Sequence, residues 1–124
     1  MNLLEEDEQY LNSKQYSWEF VSGPNEGYLI IKDFLLNTTK YSSVKTDLMI
    51  RVPPGYNITS LDCFYADPQV KLIDGNNPPA ADQLVNLNNR QWQQFSRHFT
   101  TTPWRPGVDS IQTVISLARK ELQQ

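Results

Sequence analysis

At 124 residues the chain is long enough for one cored domain and too short for two, so residues 1–124 are read as a single domain. A composition of 39% hydrophobic and 20% charged residues excludes a disordered or collagenous chain. A net charge of -3, with no basic run anywhere, excludes a protein that grips nucleic acid mainly through its phosphates.

The acidic start, MNLLEEDEQY, has neither the basic residues nor the apolar stretch of a signal peptide. The longest apolar run, Tyr28 to Ile31, is far too short to cross a bilayer, so a cytoplasmic protein without a membrane partner is expected. One cysteine and one histidine make neither an internal disulfide nor an unaided zinc site, and no metal or other cofactor is expected.

In chain order, Leu3–Ser13 reads as a short helix, with Leu4 and Leu11 seven apart and acidic residues placed to suit the helix dipole. Tyr16–Val21 is aromatic and weakly alternating, a first strand. The turn chemistry of SGPNEG separates it from a buried strand over Tyr28–Leu36. Lys45–Val52 is a third strand, with Leu48, Ile50 and Val52 on one face. Pro53 and Pro54 end it, since neither can donate a ladder hydrogen bond. Leu61–Leu72 holds at least one more strand, closed near Asp67-Pro68. From Ile73 to Asn89 the chain is rich in Asn, Pro and Asp and reads as a long irregular loop, the kind of segment that often carries function.

The last element is the clearest in the sequence. Val108, Ile111, Val114, Ile115, Ala118 and Leu122 recur at helical spacing, with Pro106 and Gly107 before them, Asp109 as the cap, and Arg119 and Lys120 in the last turn. Helix, antiparallel strands, long loop and helix make an α+β domain.

Several motifs in this order resemble the ubiquitin-conjugating fold. They are the turn Pro53-Pro54-Gly55-Tyr56, the segment Asp67-Pro68-Gln69-Val70-Lys71-Leu72, and Trp104-Arg105-Pro106 running into the final helix. Further blocks are Asp74-Gly75, Pro79-Ala80-Ala81-Asp82, Arg90-x-Trp92-Gln93-x-Phe95-Ser96-Arg97-His98 and Trp104-Arg105-Pro106-Gly107-x-Asp109. These are similar to family E of the prokaryotic ubiquitin-conjugating-like proteins, and the likeness covers about Tyr10 to Leu122. The resemblance implies a UBC-like fold: an N-terminal helix, a four-stranded antiparallel meander, a long active-site loop and a C-terminal helix. It implies a bacterial setting, and as partners a ubiquitin-like modifier and an adenylating activating enzyme.

In the familiar enzymes of that fold the catalytic cysteine lies eight residues before the Trp-x-Pro tryptophan, and counting back from Trp104 gives Ser96. A thiol ionises at about pH 8.5 and its thiolate leaves readily, whereas a serine hydroxyl needs a base and a stabilised oxyanion. His98, two residues on, faces the same way as Ser96 if the segment is extended, and is the candidate base; its competing reading is a structural hydrogen bond to loop backbone. Arg97 and Arg105 are candidates to hold the modifier's C-terminal carboxylate or carbonyl. The family's His-Pro-Asn tripeptide is missing, and Asn76-Asn77-Pro78 or Asn88-Asn89 are the loop amides available to replace its asparagine; the sequence does not choose between them. Trp92 and Trp104 read as core or loop anchors, and Asp74 and Asp82 as caps of loop backbone groups.

The leading expectation is therefore an acyltransferase carrying the modifier as an oxyester on Ser96, then passing it to an amine. Two alternatives stand beside it: an adaptor that binds modifier or activating enzyme without chemistry, and a thioester enzyme using Cys63.

Overall fold

The computed structural model describes residues 2–97 and 103–124. A nine-residue helix, α1 (Glu5–Ser13), comes first. Strands β1 (Ser17–Ser22), β2 (Gly27–Leu35), β3 (Lys45–Val52), β4 (Phe64–Asp67), β5 (Gln83–Leu87) and β6 (Arg90–Phe95) follow, and α2 (Ile111–Leu122) comes last. The strands form one antiparallel sheet in the order β1-β2-β3-β4-β6-β5.

The α+β expectation holds, with the meander β1–β4 between two helices. The sheet is wider than four strands, however. Part of the stretch read as an irregular loop is the strand β5, paired with β6 in register Gln83↔Gln94 to Leu87↔Arg90. Amide side chains make up five of the eleven residues of QLVNL and RQWQQF, which blurs the apolar alternation that marks β1–β3. The turn itself was legible chemistry: Asn88 and Asn89 both take positive φ, 53° and 61°, as a two-residue hairpin of mirror-image type requires. Irregular chain remains at residues 68–82.

Alternation in the strands sends side chains to two faces. Leu29, Ile31, Leu48, Ile50, Val52, Phe64, Ala66 and Phe95 pack with Leu11 of α1 and with Ile111, Val114, Ile115, Ala118 and Leu122 of α2. Both helices thus cover the same face. Burying the four larger side chains of α2 contributes roughly 6–12 kcal/mol at about 1.5–3 kcal/mol each. That is comparable to the whole stability of an ordinary domain, so α2 is integral to the fold. The opposite face carries a smaller cluster of Ile30, Met49, Cys63, Tyr65 and Trp92. Arg90 lies over the Trp92 ring at 4.4 Å and ties Asp67 of β4 to Asp47 of β3.

The start of α2 differs from the sequence reading. Its cap is Ser110, whose Oγ accepts from Gln112 N at 3.2 Å while Thr113 Oγ1 accepts from Ser110 N at 3.2 Å. Val108 is exposed rather than part of the core stripe. Asp109 binds one step earlier: its Oδ2 accepts from Arg105 N at 2.8 Å and its Oδ1 from the Arg105 guanidinium at 2.9 Å. A serine at the cap makes the reciprocal pair with Thr113, which frees the aspartate to fix the preceding turn. Among the described residues no helix is long and apolar enough to cross a membrane.

Candidate active site

Ser96 follows the last residue of β6, and β6 divides its side chains between the two sheet faces. Gln93 and Phe95 point to the helix-covered face, Trp92 and Gln94 to the other. Gln93 is buried and makes three hydrogen bonds to the irregular segment: Val70 N donates to its Oε1 at 2.6 Å, and its Nε2 donates to Val70 O at 3.0 Å and Ala81 O at 2.8 Å. Ser96 N donates to Ala80 O at 3.0 Å. The loop that runs from β4 to β5 is thus clamped against the strand that presents the serine.

The Ser96 hydroxyl is half-buried and lies beside Gln94, whose Nε2 donates to Oγ at 3.3 Å. The same amide lies 3.8 Å from Cys63 Sγ. Sheet register explains the meeting, because Phe64 pairs with Phe95 and the residue before one therefore faces the residue after the other. Cys63, remote from Ser96 in sequence, is its cross-strand neighbour. No signal in one sequence gives that register, and neither Gln93 nor Gln94 carries a motif that would single it out. A cavity of about 320 Å³ opens on this side, walled in part by Cys63, Gln94, Tyr65, Asp62 and the ion pair of Arg51 with Glu26.

Cys63 is 8% exposed, and burial pushes its thiol above the usual range against the opposing pull of the Arg97 N–H and the Gln94 amide. A thiol held in the protonated form is a poor nucleophile. The hydroxyl of Ser96 is a still weaker acid than a thiol, so its use as a nucleophile depends on a base. With an amide N–H on one lone pair, its single O–H remains available for a base.

The other expected residues are distributed as follows. Arg97 points to the helix side, where its guanidinium pairs bidentately with Glu121 in the last turn of α2 and lies over the Phe95 ring. Arg105 is engaged by Asp109. Trp104 packs against the core and its indole N–H donates to Asn57 O at 3.0 Å, while Asn57 Nδ2 donates to Asp109 O at 2.7 Å. The turn after β3 therefore grips the Trp104-Arg105-Pro106-Gly107 segment. Asn88 and Asn89 form the turn at the far end of β6 from Ser96, roughly 20 Å away at about 3.3 Å per residue. Asn77 is nearer in the chain to the clamp, and its Oδ1 accepts from Lys71 Nζ. His98 lies outside the described residues.

The model of prokaryotic E2 family E matches residues 3–124. Neither the curated proteins nor the solved structures yield a match.

Proposed function

The chain belongs to prokaryotic E2 family E, and from that premise we propose that it accepts the C-terminal acyl group of a ubiquitin-like protein as an oxyester on Ser96 and passes it to an amine. A conjugating-enzyme-like role, and partnership in general terms with a ubiquitin-like protein and an activating enzyme, follow from the family. The observation that carries the finer reading is Ser96 itself, half-buried at the strand end with an amide donor on its oxygen, that donor being Gln94 of the cavity wall. Its place eight residues before Trp104 agrees with the position where related enzymes hold their nucleophile.

In the loading step the Oγ–H bond breaks as Oγ bonds to the carbonyl carbon of the activated modifier. The proton goes to His98 acting as base, and the activating enzyme's thiolate leaves. In the second step an amine nitrogen bonds to the same carbon, the Oγ–C bond breaks, and Oγ recovers a proton that originates on the amine. Arg97 and Arg105 serve as positioning residues through Glu121 and Asp109, and Trp104 anchors the same turn.

Incubation with the ubiquitin-like protein, its activating enzyme and ATP tests the reading. The expected product is an adduct that survives reducing agent, is cleaved by hydroxylamine, and is absent in Ser96→Ala. An adduct lost only in Cys63→Ala would move the site to the thiol, a reading favoured by its sharing of the Gln94 amide and opposed by its burial. No adduct under any condition would leave an adaptor.

A further inference from the structure

We propose that Gln94 is a catalytic residue in both steps, donating its amide hydrogen to the charge that develops on Ser96 Oγ itself. The inference rests on Ser96 as the nucleophile. The hard part of serine chemistry is the alkoxide: Oγ must gain negative charge as its proton leaves on loading, and again as the Oγ–C bond breaks on discharge. A thiolate carries such charge unaided, so a cysteine in the same place has little need of a donor on the nucleophile atom.

The geometry separates this role from that of a carbonyl-oxygen donor. Gln94 Nε2 donates to the nucleophile's own oxygen, 3.3 Å away in the resting protein. Its partner on the other side is the polarisable sulfur of Cys63 at 3.8 Å, a weak acceptor that leaves the amide free to shorten toward Oγ as charge builds there. The peptide around Gln94 is fixed by β4 and β5 on either side, through the pairs Tyr65↔Gln94 and Gln83↔Gln94. The strand pairs hold the backbone that carries the amide, and the amide already donates to Oγ in the resting protein, the arrangement in which a donor lowers a barrier rather than merely following it. Gln94 also lines the cavity beside Cys63, so its side chain borders open space on the face that carries Ser96.

The covalent steps balance with an acyl thioester as donor. The probe is the thioester of acetyl-Gly-Gly with mercaptoethanesulfonate: its acyl carbon is bonded by Oγ, its thiolate leaves, and the hydroxyl proton goes to base. The ester on the intact protein is located by peptide mass mapping, freed of donor, and discharged with hydroxylamine while its loss is timed by mass. Gln94→Met, which keeps size and removes the donor, is expected to slow discharge roughly 10–100-fold, the range for a hydrogen bond to a developing charge. In a protein carrying Ser96→Cys and Cys63→Ala, the same Gln94→Met change is expected to alter thioester discharge less than about threefold.

A side chain that only shaped the strand would cost the same in both backgrounds. Equal losses, or no loss with the serine ester, overturn the inference while leaving Ser96 as nucleophile. An adduct that is absent from the parent protein, or maps elsewhere, sinks the nucleophile and the inference together. Gln94→Glu, isosteric and unable to donate when ionised, repeats the comparison if the methionine variant does not give a cooperative thermal transition.

Discussion

Replacing Gln93 by leucine tests whether the loop is held by the amide clamp rather than by its own turns. The substitution roughly preserves volume and removes three hydrogen bonds, orphaning Val70 N–H, Val70 C=O and Ala81 C=O in a buried setting. Each orphaned group costs about 1–3 kcal/mol, which sums to roughly 3–9 kcal/mol before relaxation. Water admitted to the loop and the apolar gain of leucine offset part of this, so a net loss of about 3 kcal/mol is expected. At about 0.05–0.15 kcal/mol per residue the whole domain has roughly 6–19 kcal/mol, so the change is severe but need not prevent folding. Urea denaturation at unchanged m-value measures it, and hydrogen exchange at the Val70 amide shows where it falls. A loss below about 1 kcal/mol, or a Val70 amide as protected as in the parent, would refute the clamp.

Tyr56 joins both helices: its hydroxyl donates to Asp7 Oδ2 at 2.7 Å and accepts from Ile111 N at 2.8 Å, so Tyr56→Phe is expected to cost about 2 kcal/mol or more by denaturation. Burial raises the Asp7 carboxyl above its ordinary 3.8, so the folded state holds a proton that the unfolded chain releases. Its contribution therefore falls as pH rises from 3.8 through the raised value and is flat above it; subtracting the pH profile of Asp7→Asn from that of the parent should expose this slope. Asp109 behaves with the opposite sign. The Arg105 side chain, then its backbone N–H, hold it at about 2, so its stabilisation is present above 3.8 and is lost between 3.8 and about 2. Asp109→Asn should remove that acid-side loss and lower the melting temperature at neutral pH.

The fold was legible wherever burial imposes a period. Lys45–Val52 is a strand with the boundaries read from its alternation, and the stripe Ile111 to Leu122 is the helix seen in the structure. The β5–β6 hairpin was hidden because amides interrupt its apolar positions, although Asn88-Asn89 stated the turn. At the site, Ser96 was reachable by counting from Trp104. Its neighbours were not, because cross-strand pairing decides that Cys63 stands opposite it and strand parity decides that Gln94, not Gln93, faces it. Arg97 and Arg105 read in the sequence as candidates to hold the modifier's C-terminal carboxylate or carbonyl, and their partners Glu121 and Asp109 emerged only with packing.

The alternation along Gln93-Gln94-Phe95-Ser96-Arg97 sets where the chain tolerates a change of length. Odd-numbered positions hold the loop and α2, and even-numbered positions face the cavity side. One residue inserted within β6 would exchange the two sets, turning the hydroxyl toward the helices and the clamp amide toward water. The Asn88-Asn89 turn has no such parity to keep. It is exposed and lies at the opposite end of the strand, so a peptide tag spliced there lengthens the hairpin tip while leaving the reading frame of the faces intact.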